Sequence, residues 1–191
     1  MHKLICIVGE TASGKDTLVK SVIDKYNLQL KKVVSYTTRP IRETETDGVE
    51  HYFTTDEKYD KIKKENVVVA ETQIGNYRYM STYEECIKSD VYIIDPNGIR
   101  YLENIIQIKD LDIELIKVYI YTPLEERKFR AKMSRSDFDK EFLARVNSES
   151  EQFNDFRNNK LYDHIIFNSA DYGFDHSVDQ LFMILEYEKI M

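Results

Sequence analysis

The feature that most constrains the fold is an apolar run that leads into a loop with two glycines. Leu4–Val8 are five consecutive apolar residues, the pattern of a buried parallel strand. The glycines of Gly9–Thr17 (GETASGKDT) let the backbone turn tightly with its N–H groups inward, which favours bound phosphate. Apolar residues recur at helical spacing over Asp16–Tyr26, so a helix N-terminus faces the same anion. Strand, loop and helix together predict a phosphate loop, with Lys15 reaching the outer phosphates of a nucleoside triphosphate.

The residue after the loop lysine departs from the usual motif. A Ser or Thr that ligates Mg²⁺ ordinarily follows the lysine, but here Asp16 follows Lys15 and the hydroxyl comes next, at Thr17. We therefore predict that Thr17 contacts Mg²⁺, and we leave the role of Asp16 open. A glycine turn without a ligand is the alternative interpretation. The predicted triphosphate-binding residues of the loop are Gly9, Glu10, Thr11, Ala12, Ser13, Gly14, Lys15, Asp16 and Thr17.

Length and charge limit the classes of protein that fit. A chain of 191 residues with 42% hydrophobic content predicts one domain with insertions. The net charge of −7 argues against general nucleic-acid binding, which needs a positive surface. Cys6 and Cys86 fit neither a metal site nor a disulfide framework, and no apolar run approaches the roughly 20 residues of a membrane span. We expect a cytoplasmic monomer or homodimer without membrane partners.

Short apolar runs alternate with helical patterns along the chain. The further strand candidates are Lys32–Val34, Val67–Val69, Val91–Ile94, Leu115–Ile120 and His164–Phe167. The helical patterns cover Asn97–Ile108, Leu124–Met133 and Phe174–Ile190. This alternation predicts an α/β fold with a central parallel sheet covered by helices on both faces. Segments 35–82 and 131–150 break the pattern and are interpreted as insertions into a core of 1–34, 83–130 and 151–191.

The first insertion contains two arginines three residues apart. Arg39 and Arg42 flank Pro40, which stiffens the segment between them. Two planar guanidinium groups that converge on one point can bind a dianionic phosphate in bidentate fashion. Paired arginines in an acidic protein also form surface ion pairs, so the spacing alone leaves both interpretations open.

The sequence from Ser35 to Phe53 resembles the guanylate kinase family. The family pattern is Ser-x-Thr-Thr-Arg-x-x-Arg-x-Gly-Glu-x-x-Gly, and its matches here are Ser35, Thr37, Thr38, Arg39, Arg42, Glu45 and Gly48, with Thr44 in place of a glycine. The resemblance implies a phosphate-loop kinase that transfers the γ-phosphoryl group of ATP to GMP with Mg²⁺. It also implies that Ser35, Arg39, Arg42 and Glu45 bind GMP. The family's phosphate-binding tyrosine falls on His51, with Tyr52 beside it, and either could contact the acceptor.

The resemblance continues over Ala70–Glu71 and Gly75–Thr82, where it implies Tyr79 on the phosphate and Ser81 on the base. We expect Glu71 to end a strand and to point into the cleft. A carboxylate there can accept hydrogen bonds from both guanine N1–H and the 2-amino group, which would select guanine. A solvated strand end is the alternative.

A second carboxylate follows the apolar run Val91–Ile94. Asp95 occupies the place of a family aspartate that contacts guanine and lies near the metal, although Asn97 replaces a glutamine two residues on. An aspartate that only caps the following helix is the alternative.

The second insertion resembles the family's lid. Arg135 and Arg145 have the ten-residue spacing of two lid arginines, and Arg145 lies in a helical pattern over Phe138–Phe156. Phosphoryl transfer requires positive charge around the migrating group, so these two are predicted to close over ATP. A solvated helix face is the alternative for each. Asn168 follows the last strand, where the resemblance implies a contact near adenine.

Two other functions remain compatible with the sequence. A related kinase could act on ribose 1,5-bisphosphate or on a deoxynucleoside monophosphate, and Asp16 and His51 are compatible with the former. Arg42, Glu45 and Glu71 favour GMP. Guanylate-kinase-like modules that bind phosphorylated peptides usually have a degraded phosphate loop, whereas the loop here keeps its glycines and lysine.

Overall fold

Helices and strands alternate through residues 1–42, 45–134 and 138–190, which the computed structural model describes. In chain order they are β1 (His2–Val8), α1 (Lys15–Tyr26), β2 (Ser35–Thr37), β3 (His51–Phe53), α2 (Asp56–Glu65), β4 (Val68–Ile74), β5 (Tyr77–Thr82), α3 (Tyr83–Ile87), β6 (Val91–Ile93), α4 (Pro96–Lys109), β7 (Ile113–Tyr121), α5 (Leu124–Ser134), α6 (Phe138–Asn158), β8 (His164–Phe167) and α7 (Phe174–Tyr187). None of the described helices is long and apolar enough to cross a membrane.

The chain divides into two compact units. The first unit contains Met1–Leu4, Lys31–Tyr92 and Asn97–Leu115, and the second contains Ile5–Leu30, Ile93–Pro96 and Ile116–Met191. The prediction of a single domain with insertions at 35–82 and 131–150 stays a prediction.

One sheet has the strand order β6-β1-β7-β8. Leu4–Val8 in β1 are fully buried, which explains why this strand is apolar at every position instead of alternating. β7 and β8 pair in parallel, from Val118 opposite His164 to Tyr121 opposite Phe167. The carboxyl ends of these two strands carry Thr122 and Asn168, both buried, so the topology places two polar side chains at one sheet edge.

The other sheet has the order β3-β2-β5-β4 and lies in the first unit. β4 and β5 form an antiparallel hairpin around Gly75, whose φ of +60° suits a residue without a Cβ. β2 pairs antiparallel with β5 and parallel with β3, so that Ser35 lies opposite His51 and Thr37 opposite both Phe53 and Tyr79. The register brings several predicted acceptor residues into one small sheet.

Three sequence predictions of strands need correction. Lys32–Val34 is not a strand: Lys32 makes one isolated bridge with Val91, and the chain enters the other sheet at Ser35. The strand predicted at Val67–Val69 runs from Val68 to Ile74 and pairs antiparallel. Glu71 therefore lies inside β4 and not at its end, because cross-strand pairing with β5 continues through Ile74.

The predicted helices are confirmed, with small shifts at their ends. α1 begins directly after Gly14, which caps it in the left-handed conformation, and it packs on α7 with the rings of Tyr26 and Phe182 stacked at 3.7 Å. α7 ends at Tyr187, three residues before the predicted end, and Lys189 beyond it has a φ of +57°. A backbone that has turned left-handed cannot continue the helix.

Candidate active site

Both glycines of the phosphate loop are required by its geometry. A Cβ on Gly9 would lie 2.5 Å from Ser13 Oγ and 2.9 Å from the carbonyl oxygen of Ile120. Gly14 has a φ of +84°, and a Cβ there would lie 2.8 Å from the side-chain nitrogen of Asn168. The loop is packed too closely against Ile120 of β7 and against Asn168 for any larger residue at these two positions.

The carbonyl of Ser13 is held by three donors from other parts of the second unit. Thr122 Oγ1 lies 3.0 Å from this oxygen, Arg130 Nη1 3.1 Å and Asn168 Nδ2 2.8 Å. Because these donors hold the Ser13 carbonyl toward the ends of the strands, the N–H groups of the loop can point to its opposite side, where an anion would bind. The hydroxyls of Thr11 and Ser13 are buried and find no partner among the described residues, as expected of groups that await a polar ligand.

A buried carboxylate ties the loop to two helices. Glu10 accepts a hydrogen bond from Tyr119 Oη at 2.9 Å and pairs with Arg157 at 3.4 Å and Arg127 at 3.5 Å. Arg127 also donates to the carbonyls of Thr122 and Thr11. Burial, and then Glu10, raise the pKa of Tyr119. The side chain of Glu10 thus braces the loop.

The loop lysine lies among charges that were predicted separately from the sequence. Burial lowers the pKa of Lys15; Asp16, Glu149 and Asp95 oppose this decrease, and Arg145 adds to it. The second unit therefore brings Lys15, Asp16, Asp95 and Arg145 into one electrostatic site. A residue whose pKa is shifted by burial and specific charges marks a candidate functional site.

A carboxylate of α6 accepts a hydrogen bond from one backbone N–H of the loop. Glu149 Oε2 accepts from the backbone N–H of Thr11 at 2.9 Å, and its other oxygen pairs with Arg145 at 3.3 Å. Glu149 was not predicted from the sequence; its place one helical turn after Arg145 was the available signal. The contact shows that this loop N–H can donate to an anionic oxygen.

Ala12 is held in a conformation that alanine rarely adopts. Its φ is +60°, in the left-handed region where a Cβ crowds the backbone. Such strain persists at functional sites because the surrounding contacts enforce it. The loop therefore keeps its shape at a local cost in stability.

The remaining residues predicted to bind ATP or Mg²⁺ have contacts that the structure describes for some and not for others. Asn168 is 1% exposed and its amide is used on Ser13, so its contact with adenine stays a prediction. Thr17 is exposed near the start of α1, and its contact with Mg²⁺ also stays a prediction. Arg135 lies outside the described residues. Among those that are described, no three His, Cys, Asp or Glu side chains group as a metal site.

In the first unit, Arg39 forms a bidentate pair with Glu45. The two guanidinium nitrogens lie 2.9 and 2.8 Å from the carboxylate oxygens, and Glu45 also accepts from the backbone N–H of Arg42. The hydrogen bonds from Arg39 lower the pKa of Glu45 to about 2. Arg39 stacks over Phe53 at 5.3 Å, whereas Arg42 is exposed. Glu45 thus orients Arg39, and the convergence of Arg39 and Arg42 on one phosphate stays a prediction.

His51 lies on the same face as Arg39, and Tyr52 does not. His51 Nδ1 lies 2.8 Å from Ser35 Oγ, and its ring is 5.6 Å from that of Tyr79. Burial and then Arg39 lower the pKa of His51. The pKa of Arg39 is raised first by its hydrogen bond to Glu45 and, to a smaller extent, by the hydrogen bond that it donates to Tyr79. Successive side chains of a strand point to opposite faces, so Tyr52 instead packs on Tyr36 at 4.9 Å.

The two residues predicted to read the base have partners within the first unit. Glu71 is held by Lys63, whose Nζ is 2.8 and 2.6 Å from its two oxygens, and by Tyr59 Oη at 3.3 Å. Ser81 is fully buried, with its Oγ 2.6 Å from Tyr92 Oη.

Comparisons with known proteins identify the family. The sequence profile described as guanylate kinase matches residues 1–188. The chain belongs to the guanylate kinase family. The guanylate kinase of Mycoplasmoides gallisepticum is 27% identical over 172 residues, 86% of this chain and 84% of the relative. That of Caldanaerobacter subterraneus is 26% identical, over 97% of this chain and 87% of the relative.

A solved structure supports the fold. The crystal structure of guanylate kinase from Anaplasma phagocytophilum matches 100% of this chain and 87% of its own with a TM-score of 0.68, at 17% sequence identity. The predicted α/β class, the guanylate kinase family and its kinase activity are therefore confirmed. The roles of individual residues stay predictions.

Proposed function

We propose that the protein transfers the γ-phosphoryl group of ATP to GMP or dGMP, producing ADP and the guanosine diphosphate. The observation that carries this proposal is the phosphate loop, in which three donors fix the Ser13 carbonyl beside the Lys15 site. An intact loop also favours a kinase over a phosphopeptide-binding module. The substrates are small nucleotides in the cytoplasm, with no nucleic acid or membrane involved.

The chemistry asks the protein to position phosphates and to stabilise their charge. No protein nucleophile is needed, because an oxygen of the acceptor phosphate attacks the γ-phosphorus in line. Lys15 binds the outer phosphates, and Arg145, together with Arg135 as predicted from sequence, stabilises the charge of the migrating group. Arg39, oriented by Glu45, binds the acceptor phosphate with Arg42, Tyr79 and His51.

The residues present fit Mg²⁺. This ion prefers oxygen ligands, keeps several waters and is usually held by one or two protein oxygens plus substrate phosphates. The Thr17 hydroxyl and the Asp95 carboxylate are donors of this kind, and Asp95 is close enough to act on the Lys15 pKa. When bound, Mg²⁺ neutralises phosphate charge.

A coupled assay of ADP release tests the proposal with ATP, Mg²⁺ and a panel of acceptors: GMP, dGMP, AMP, CMP, UMP and ribose 1,5-bisphosphate. We expect turnover confined to the guanine nucleotides. Turnover on ribose 1,5-bisphosphate alone would refute the acceptor assignment while keeping the phosphate loop. Lys15→Ala should abolish turnover, whereas Lys20→Ala, an exposed lysine of the same helix, should not.

A further inference from the structure

A lysine of α2 shares the carboxylate that is proposed to read the acceptor base. Lys63 Nζ approaches both oxygens of Glu71, at 2.8 and 2.6 Å. Tyr59, one helical turn before Lys63, is fully buried and also donates to Oε1 of Glu71, at 3.3 Å. Tyr59 is itself covered by the guanidinium of Arg78 at 4.0 Å from the ring centroid. The carboxylate is therefore anchored, while the ammonium group reaches it from a half-exposed side chain.

Guanine offers three groups along the edge that Glu71 is proposed to read. N1–H and the 2-amino group are donors, and O6 beside them is an acceptor. A carboxylate matches the two donors but repels O6, so the site needs a separate donor. The sequence resemblance implies that Ser81 contacts the base; its hydroxyl is fully buried and already within hydrogen-bond distance of Tyr92 Oη, at 2.6 Å.

We propose that Lys63 is a specificity-determining residue that donates a hydrogen bond to O6 of the acceptor base. The inference rests on the proposed function. Lys63 has three N–H donors on a flexible stem, so its ammonium can move to one oxygen of Glu71 and leave the other side of the carboxylate for the base. The Lys63 and Glu71 side chains are 44% and 26% exposed, and ion pairs this open cost little to rearrange.

The same pair disfavours adenine. The 6-amino group of adenine is a donor and would face the ammonium of Lys63, and adenine has no N–H at position 1 for Glu71. Each mismatch leaves a charged group without its partner, which is an effective way to reject a competing ligand. Lys63 thereby adds a second, independent criterion to the one that Glu71 supplies.

Steady-state kinetics of Lys63→Met test the proposal, because methionine removes the donor and keeps much of the apolar stem. We expect the KM for GMP to rise about tenfold, as for loss of a hydrogen bond from a charged donor, with the KM for ATP and kcat nearly unchanged. The rise should be smaller for 6-thioguanosine 5′-monophosphate, because sulfur accepts hydrogen bonds weakly. Lys61→Met is the control: Lys61 is on the same helix and pairs with Glu65 at 3.9 Å.

A KM for GMP that is unchanged or lower in Lys63→Met would overturn the proposal, because Lys63 would then only neutralise Glu71 until the base arrives. An equal rise for GMP and its thio analogue would also overturn it. In both cases the wild-type protein still phosphorylates GMP and the proposed function stands. If the wild-type protein does not phosphorylate GMP, the proposed function itself fails.

Discussion

Replacing Glu10 with alanine should destabilise the protein, since it removes the carboxylate that braces the phosphate loop. Glu10 and Arg127 are 9% and 8% exposed at their side chains, and Arg127 keeps only its bonds to backbone carbonyls after the change. Breaking a buried ion pair by removing one partner costs about 3–5 kcal/mol. Two features reduce this cost here. Arg157 is 36% exposed, and Glu10 lines a cavity of about 270 Å³ in which water can replace the lost oxygens.

We therefore expect Glu10→Ala to lower the free energy of unfolding by about 2 kcal/mol, which corresponds to a fall in Tm of roughly 4–8 °C for a chain of this size. Thermal unfolding followed by circular dichroism measures the shift. Tyr119→Phe, which removes one hydroxyl from the same carboxylate, should cost about 1 kcal/mol.

The matched control for Glu10→Ala is Glu125→Ala. Glu125 also pairs with a cation, Lys128, but its side chain is 82% exposed, so its loss should cost well under about 1 kcal/mol. If Glu10→Ala and Glu125→Ala shift Tm equally, the Glu10 network contributes nothing beyond a surface ion pair and the reasoning fails.

Three further perturbations follow from the site geometry. Ala12→Gly relieves the strain of a φ of +60° and should stabilise the protein by about 1 kcal/mol, which raises Tm by a few degrees. The same change at Ala70, in β4, should lower Tm. A lower Tm for Ala12→Gly would show that Ala12 is not strained. The pKa of Glu45 is depressed from 4.5 to about 2, so its pairing with Arg39 stabilises the fold fully above pH 4.5 and is lost as the pH falls toward 2. Urea midpoints should therefore fall less steeply with acid in Glu45→Gln than in the wild type, and parallel curves would refute this. Glu149→Gln weakens the anionic contact with the Thr11 amide and should lower the KM for ATP about threefold to tenfold; an unchanged or higher value would show that Glu149 does not compete with ATP.

The elements predicted well from sequence are those whose local pattern alone determines them. Leu4–Val8 is apolar throughout because β1 is buried on both faces, and the glycine positions of the following loop need no long-range information. β2 and β3 were missed as strands because they are three residues long and polar or aromatic. Their pairing, such as Ser35 with His51, joins segments distant in sequence and is determined by contacts that a local pattern does not encode.

Residues of the candidate site were likewise predicted where a short motif determines them and missed where long-range contacts do. Short motifs and the family resemblance singled out Lys15, Arg39 and Glu45 as candidates, because their predicted chemistry follows from a local pattern. They could not identify Thr122 or Arg127, which act by donating to backbone carbonyls more than a hundred residues away. They also left open the choice between His51 and Tyr52, because adjacent positions cannot show which of two neighbouring side chains lies on which face of a strand.

Asp16, which departs from the usual motif, acquires a physical interpretation from the charges around Lys15. Burial and, to a smaller extent, Arg145 lower the pKa of Lys15, whereas binding phosphate and stabilising charge in the transition state both call for a charged lysine. Asp16 is the largest of the opposing influences, ahead of Glu149 and Asp95. These carboxylates limit the decrease in the pKa of Lys15, and the phosphates of a bound nucleotide would act in the same direction. The same carboxylates repel the phosphates of ATP. Their effect on the pKa of Lys15 therefore comes at the expense of affinity for ATP.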